Sequence, residues 1–270
     1  MRQYSITLIS TLSILLFSCD MSNVREEAND YFQEGNYTAA VASYNRVIKM
    51  EPDDNYSIFN RATALENIEE YDAAYDDYTR LISLKWHSLK ALMGRARCNF
   101  ELENYAGAVM DLKLLIENEP DNMAALELRG RAYMKMGKSW NAIHDLDKVL
   151  KVDPNNLHAL ITRGAALARG GLGPAAIKDF DRAISINPNL PVARFNKGMV
   201  FFVHEHFSAA IDSFDKAIDL NENYAEAYTR RGMAKMNYKG YSLKDSCDDF
   251  KKGAKLNDPL GAEYVSEYCN

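Results

Sequence analysis

Two short segments carry residue types that could support metal binding or catalysis. His204, Glu205 and His206 are adjacent, and imidazole is a common zinc ligand, but the sequence shows no third ligand to join the two histidines. Residues 171–176, with the sequence Gly-Leu-Gly-Pro-Ala-Ala, imitate a dinucleotide-binding turn, yet no strand precedes them. Both segments are predicted to be turns between helices. The sequence therefore predicts a protein that is not an enzyme, with no catalytic residue, no metal and no cofactor.

A different chemistry is indicated at Cys19. Residues 6–17 form an apolar run after the positive charge of Arg2, and the run is shorter than the roughly 20 residues of a membrane-spanning helix. Residues 1–18 are typical of a signal peptide. The segment Leu-Phe-Ser-Cys that ends at Cys19 resembles the bacterial lipobox, which implies cleavage before the cysteine and attachment of diacylglycerol to its sulfur. An ordinary secretory peptide or an uncleaved anchor is the alternative.

The elements that position the remaining residues follow a repeat of 34 residues. Three features recur in register: a small residue, a second small residue twelve positions later, and a large apolar residue four positions after that. The first small series is Ala28, Ala62, Ala96, Gly130, Gly164, Gly198 and Gly232. Seven units follow, with starts at Met21, Asn55, Leu89, Met123, Leu157, Pro191 and Ala225.

Each unit is predicted to be a pair of antiparallel helices. In residues 123–156 the apolar positions fall on one stripe of each of two helices, and Gly137 separates them. Gly130 and Ala142 allow the two helices to approach closely, and Pro154 ends the second one. A pair this short buries its apolar face only by stacking on its neighbours.

These positions resemble the tetratricopeptide repeat, whose pattern is W-x2-L-G-x2-Y, then A-x3-F, then P. The resemblance covers residues 21–260. It implies an all-α fold, a right-handed superhelix of seven helix-turn-helix repeats, as a single domain over residues 19–270. In the last unit two extra residues fall near 239–244, and residues 259–269 are predicted to form a capping helix that begins at Pro259.

The leucine position of the family pattern is occupied by arginine in five units. Four of these units carry aspartate sixteen residues later, and the fifth carries it after the insertion, whereas the units with Lys197 or Glu27 carry serine. We therefore predict an Arg–Asp ion pair within each of the five units, with independent solvated charges as the alternative. The predicted pairs are Arg61–Asp77, Arg95–Asp111, Arg129–Asp145, Arg163–Asp179 and Arg231–Asp249.

Three further cysteines lie within the repeats and the cap. Cys98 is near small core positions of a first helix and is predicted to be a buried thiol. Cys247 lies on the last repeat helix and Cys269 at the end of the capping helix. Because an exported protein meets oxidising conditions, these two are a possible disulfide; fraying of Cys269 at the terminus is the alternative.

The family resemblance assigns one stripe of the first helices to a binding groove. Its apolar members suggest an adaptable surface for a helix or an extended peptide, although some of them are also suited to packing between units. The predicted groove residues are Arg25, Asn29, Phe59, Asn60, Lys90, Met93, Arg97, Phe100, Arg131, Met134, Ile161, Phe195, Met199, Phe202, Met233 and Met236. Among them Arg25, Asn29, Asn60 and Lys90 match four of the five positions with which some family members clamp a C-terminal carboxylate, and Gly94 fails the fifth.

Composition narrows the function further. The chain is 47% hydrophobic and 26% charged, as expected for a folded protein, and its net charge of -6 disfavours nucleic acid as a partner. The resulting expectation is a non-enzymatic adaptor, lipid-anchored in a bacterial envelope, most simply at the outer membrane, that binds peptide segments of other envelope proteins. A carbohydrate-binding lipoprotein that assists outer-membrane import is the alternative, because the chain has eleven Phe and sixteen Tyr.

Overall fold

The computed structural model describes residues 23–269, and every regular element in this range is helical. Helix α1 comprises residues 23–33. The helices that follow are α2 (Tyr37–Met50), α3 (Asn55–Asn67), α4 (Tyr71–Ser83), α5 (Ser88–Glu101), α6 (Tyr105–Asn118), α7 (Met123–Lys135), α8 (Ser139–Val152), α9 (Leu157–Arg169), α10 (Gly173–Ile186), α11 (Pro191–Val203), α12 (Phe207–Leu220), α13 (Ala225–Met236), α14 (Leu243–Lys255) and α15 (Pro259–Tyr268). The all-α fold class is confirmed. The predicted signal peptide and Cys19 lie outside the described residues.

The helices belong to two compact units, and the boundary between Ala132 and Tyr133 falls within α7. In the first unit each helix from α2 to α6 packs against the next one. In the second unit the helices from α8 to α15 do the same, and α15 also contacts α13. Packing of consecutive helices in this way is typical of a tetratricopeptide solenoid. The prediction of one domain over residues 19–270 stays a prediction.

Helix boundaries follow the register of the repeat. Five predicted unit starts, from Asn55 to Ala225, are the first residues of helices, and α5 begins at Ser88, one residue before Leu89. Side chains of Asp54 and Asn104 cap α3 and α6 by accepting hydrogen bonds from backbone N–H groups three residues later. In the last unit the insertion lengthens the turn, and Ser242 and Asp245 form a capping box that starts α14.

The turn between the two helices of each of the first six repeats requires one residue in the left-handed region. Glycine takes this place in half of the units and glutamate in the other half, with φ between 59° and 78°. These residues are Gly35, Glu69, Glu103, Gly137, Gly171 and Glu205. The left-handed residue ends one helix and lets its partner turn back, which places the two helices of a unit side by side.

The core of each repeat lies between its two helices, at the small positions and the large apolar residues that face them. Ala62 and Ala74 are fully buried in the first compact unit, and Phe180 and Phe214 are fully buried in the second compact unit. A Cβ atom built on Gly164 would lie 2.7 Å from the ring of Phe180, so only glycine allows that ring to lie this close to α9. The small residues thus set how closely the helices approach.

Candidate functional site

The apolar residues of the predicted groove are less exposed than a continuous open strip requires. Phe100, Met134 and Phe195 are buried, and Met236 is exposed. The remaining apolar members, Phe59, Met93, Ile161, Met199, Phe202 and Met233, are partly exposed. The expectation of an exposed strip is therefore corrected for the three buried residues.

The burial of Phe100 and Phe195 has a local cause in each of the two compact units. In the second unit, the ring centroid of Phe195 lies 5.6 Å from that of Phe214 and 4.8 Å from that of Tyr224. In the first unit, Phe100 packs edge-on against Tyr105, and the guanidinium of Arg131 lies 4.5 Å from its ring centroid. These rings belong to the packing between helices and are covered by it.

Two of the four cations of the predicted groove, Arg25 and Arg97, are paired with carboxylates within the first compact unit. Arg25 pairs with Asp54 at 2.9 Å and also with Glu51. Arg97 donates from Nε and Nη2 to the two carboxylate oxygens of Glu66, at 2.8 Å each. These arginines are thus committed to carboxylates of their own chain.

The residues that match the carboxylate clamp lie on the first helices of the first compact unit. The amide oxygen of Asn29 accepts hydrogen bonds from Tyr44 at 2.8 Å and from Asn60 at 3.5 Å. At Gly94 a Cβ would lie 2.3 Å from the ring of Tyr78, so the fifth clamp position has no room for a cationic side chain without movement of that ring. Of the four matching residues, Lys90 is exposed on α5 and forms no ion pair within the described residues.

A cleft of about 450 Å³ opens in the first unit between α3, α5 and α7. Its wall contains Glu66, whose carboxylate also accepts a 2.7 Å hydrogen bond from the hydroxyl of Tyr78. Burial and the nearby Glu66 carboxylate raise the pKa of Tyr78. Since Glu66, Arg97 and Tyr78 satisfy one another, this part of the wall is a closed polar network that offers little to a ligand.

A recess of about 360 Å³ opens in the second unit between α9 and α11, and its lining is mostly apolar. Ala165 and Ala168 on α9 leave space opposite Met199 and Val203 on α11. Val203 is 70% exposed. Arg169, Asn196 and His204 supply the polar edge of the recess. The recess can accept an apolar side chain and contact a polar or acidic neighbour at its rim.

The structure brings four of the five predicted Arg–Asp pairs together. In each pair Nε and Nη2 of the arginine donate to the two oxygens of the aspartate at 2.5 to 2.9 Å. These pairs are Arg61–Asp77, Arg95–Asp111, Arg163–Asp179 and Arg231–Asp249. The fifth pair, Arg129–Asp145, stays a prediction.

A second partner of these arginines was not predicted. Their Nη1 atoms donate to a polar residue sixteen positions earlier, on the second helix of the preceding repeat. For Arg163 this residue is Asp147, at 2.7 Å. Lys197, whose own unit lacks the aspartate, donates to Asp181 in the same way at 2.6 Å. The recurrence of polar residues at this phase, including Asn45, Thr79 and Asp215, was the available signal.

The cysteines of the described range are placed as follows. A disulfide joins Cys247 on α14 to Cys269, the residue after α15. Cys98 is a free thiol, fully buried on α5. Burial raises its pKa to about 12.

Of the segments considered first for catalysis, residues 204–206 lie in a turn as predicted, whereas residues 171–176 lie in a turn only at 171–172, because residues 173–176 already form the first turn of α10. Residues 204–206 connect α11 to α12, and Glu205 there has a φ of 59°. Residues 170–172 connect α9 to α10. Among residues 23–269 no group of three or more His, Cys, Asp or Glu side chains is arranged to hold a metal ion. No helix in the same range is long and apolar enough to cross a membrane.

Sequence profiles of the tetratricopeptide repeat match residues 25–88, 90–122 and 127–191, which together are more than half of the chain. No curated protein matches the sequence.

Solved structures share the fold. A tetratricopeptide repeat protein from Parabacteroides merdae is 22% identical, with 93% of this chain and 99% of that chain covered and a TM-score of 0.73. The C-terminal part of a repeat protein from Cytophaga hutchinsonii is 13% identical, with 87% and 97% covered and a TM-score of 0.67. YrrB, described as having an unusual peptide-binding site, is 21% identical, with 68% and 95% covered and a TM-score of 0.58.

Proposed function

Because the chain belongs to the tetratricopeptide repeat family, we propose that it is a non-enzymatic adaptor that binds peptide or helical segments of partner proteins. Proteins with this fold generally mediate protein–protein interactions, and one structural neighbour is described by its peptide-binding site. A repeat surface presents side chains at regular intervals, which suits a segment of another chain better than a small substrate.

The recess between α9 and α11 is the observation that carries this proposal. Ala165 and Ala168 form a floor of small side chains, and Val203 stands beside it largely exposed. An apolar side chain of a partner would cover Val203 and Met199 and remove their surface from water, which stabilises the complex. The cleft of the first compact unit is different in kind, since part of its wall is the paired Glu66 and Arg97.

The rim of the recess favours a partner with an acidic or carbonyl group next to its apolar side chain. Arg169 is exposed and donates from Nη1 to the carbonyl oxygen of Met134 at 3.2 Å, which fixes the guanidinium at the edge. The amide of Asn196 lines the same recess and adds a hydrogen-bonding group. An amphipathic helix or an extended peptide supplies this combination of groups.

We also propose that the protein acts in the bacterial envelope, held at the outer membrane through a lipid on Cys19. The support is the sequence of residues 1–19 alone, and two or more acyl chains suffice for stable anchoring. The partners would then be other envelope proteins. Replacement of Cys19 by alanine should move the protein from the membrane fraction to the soluble fraction; continued sedimentation with membranes would contradict the lipid anchor.

Site-specific photo-crosslinking in cells tests the adaptor function. A photoreactive amino acid in place of Val203 should form adducts with a partner protein, whereas the same group in place of Lys178, exposed on α10, should not. The variant Ala168→Trp fills the recess and should abolish the Val203 adducts, and Lys178→Trp is the matched control that should leave them intact. Equal adducts from both positions, or adducts that survive Ala168→Trp, would contradict binding at the recess.

A glycan array addresses the carbohydrate alternative with the same variants. The adaptor proposal expects no glycan whose binding depends on Ala168. A glycan that binds the unaltered protein and is lost in Ala168→Trp, with no protein adduct at Val203, would favour the alternative.

A further inference from the structure

One loop of the first unit departs from the repeat in sequence and in backbone. Four of the loops between consecutive repeats contain a proline at the same phase, namely Pro52, Pro120, Pro154 and Pro188, whereas the loop between α4 and α5 contains Trp86 there. Lys85 and His87, on either side of it, have φ angles of 55° and 41°. The other loops between consecutive repeats in the described range contain no left-handed residue.

This backbone is unfavourable by itself. A non-glycine residue in the left-handed region costs on the order of 1 kcal/mol or more, and this loop contains two. His87 is also the N-cap of α5 but forms no capping hydrogen bond. Its ring instead packs edge-on against Trp86, with the ring centroids 4.2 Å apart. The loop is therefore shaped to hold Trp86 in one place.

Trp86 is the centre of an aromatic cluster on the surface of the first unit, which we name the aromatic platform and define as Tyr56, Phe59, Trp86 and His87. The rings of Tyr56 and Trp86 are nearly perpendicular, at 84°, with centroids 4.9 Å apart. Phe59 lies beneath, 5.9 Å from Trp86, and belongs to the predicted groove. Tyr56 is 66% exposed, which leaves most of its ring open to a ligand.

Two lysines lie close in sequence to the aromatic platform. Lys85 precedes Trp86 directly, and Lys90 lies on the first turn of α5; both are exposed, and neither forms an ion pair within the described residues. The acidic residues nearest to Tyr56 in sequence, Asp53 and Asp54, are already paired. Asp53 contacts Arg80, and Asp54 contacts Arg25. The platform thus combines open aromatic rings with two unpaired cations.

We propose that the aromatic platform binds an extended, proline-containing acidic segment of a partner protein. The compact pyrrolidine ring packs on the open face of Tyr56 and against Trp86, and the extended conformation of such a segment costs little entropy to bind. Acidic residues beside the proline pair with Lys85 and Lys90. This site is additional to the apolar recess of the second unit, and it continues the predicted groove through Phe59.

Fluorescence anisotropy with a short labelled peptide of alternating proline and glutamate tests the platform. The unaltered protein should bind it saturably, and Tyr56→Ala should weaken binding about tenfold, because an anchoring aromatic ring is removed. Tyr56→Phe keeps the ring and should stay within about twofold. Lys90→Gln should weaken binding and reduce its dependence on salt. Circular dichroism establishes that each variant is folded. We expect the Tyr56 variants to fold, because the side chain of Tyr56 is largely exposed.

Matched probes and a second variant decide the outcome. Replacing the prolines by alanine, or the glutamates by glutamine, should each weaken binding of the peptide. Ala168→Trp should leave it unchanged, so that failure of the recess and failure of the platform are distinguished. The proposal is overturned by no saturable binding up to millimolar peptide, by equal binding of the alanine peptide, by no effect of Tyr56→Ala, or by binding to anionic phospholipid vesicles in place of the peptide.

Discussion

Each paired arginine contacts two consecutive repeats. Arg163 uses Nε and Nη2 for Asp179 in its own repeat and Nη1 for Asp147 in the preceding one. Asp179 is buried, and a buried carboxylate is stable only when its oxygens are satisfied. The fixed fork of a guanidinium meets both needs, whereas the single ammonium of Lys197 donates its hydrogen bond to Asp181 of the preceding repeat.

We predict strong coupling within the Arg163–Asp179 pair. The side chains are 23% and 9% exposed, so the pair is weakly screened, and a double-mutant cycle with alanine should give about 1 to 3 kcal/mol from urea unfolding. Arg163→Ala leaves the buried carboxylate of Asp179 without its guanidinium, and Asp179→Ala leaves Arg163 with Asp147 as its remaining partner, so both single variants should be destabilising, the first one more strongly.

Lys113 and Glu117 on α6 provide the control for this cycle. Their side chains are 69% and 56% exposed and lie 3.9 Å apart, so their coupling should be about 0.5 kcal/mol or less. Equal coupling in the two cycles would show that burial does not strengthen the pair. The same cycle at Arg129 and Asp145 examines the fifth pair.

We predict that Cys98 is unreactive in the folded protein. Its pKa is raised to about 12 by burial, so at pH 8 the thiolate, which is the nucleophile, is scarcely populated, and only a pH near that pKa would raise its fraction. Iodoacetamide at pH 8 should therefore label Cys98 only after denaturation. Without reductant Cys98 should be the single labelled residue among Cys98, Cys247 and Cys269; rapid labelling of the native protein would contradict this.

At the scale of elements, the sequence predicted the features that recur from repeat to repeat, because each repeat gives the same signal again. Helix starts, the turn at Gly137 and the capping helix at Pro259 follow from residues that recur or from local turn chemistry. Burial of Phe100 and Phe195 did not follow, because periodicity identifies the face of a helix but not how far a neighbour covers it. The recess also depends on the depth of that coverage.

Some local features were beyond the pattern because they are exceptions to it. Trp86 occupies a proline position, and nothing in the recurring pattern indicates the left-handed backbone of Lys85 and His87. The Arg–Asp pairs were accessible for the opposite reason, since arginine and aspartate occur together or are absent together. Their second partner was missed because polar residues at that phase differ in type.

We predict that the left-handed turn residue tunes stability in each repeat. Glu103 has a φ of 59°, where glycine avoids the clash of its Cβ, so Glu103→Gly should raise the free energy of unfolding by about 0.5 to 1 kcal/mol, net of the greater freedom of glycine in the unfolded chain. Gly137 has a φ of 72° and open space around it, so Gly137→Ala should lower that free energy by about 1 kcal/mol. Urea unfolding measures both; the same sign for both would refute the explanation.

At the scale of the whole molecule, the two compact units present different chemistry. In the first unit Arg25 and Arg97 are paired, and the platform presents aromatic rings and lysines. In the second unit the recess between α9 and α11 presents an apolar surface. An adaptor with two unlike sites can hold two kinds of segment, and each site can be removed separately.

The last helix protects the apolar end of the second unit. Helix α15 has ten residues, too few to be stable alone, and it depends on packing against α13 and α14. A Cβ on Gly261 would lie 2.8 Å from both the backbone of Ala254 and the hydroxyl of Thr229, so the start of α15 is docked closely. The ring centroids of Tyr264 and Phe250 are 4.8 Å apart, and the disulfide secures the end.

We predict that Cys269→Ser loosens α15 from its C-terminal end. The disulfide closes a segment of 22 residues, so its loss should cost roughly 3 kcal/mol, most of it as local opening of the cap. Hydrogen exchange should speed up markedly at residues 264–268 and much less within α13. Reductant should reproduce this change in the unaltered protein and do nothing further to Cys269→Ser. If reductant leaves exchange in α15 unchanged, packing around Gly261 and Tyr264 holds the cap without the covalent bond.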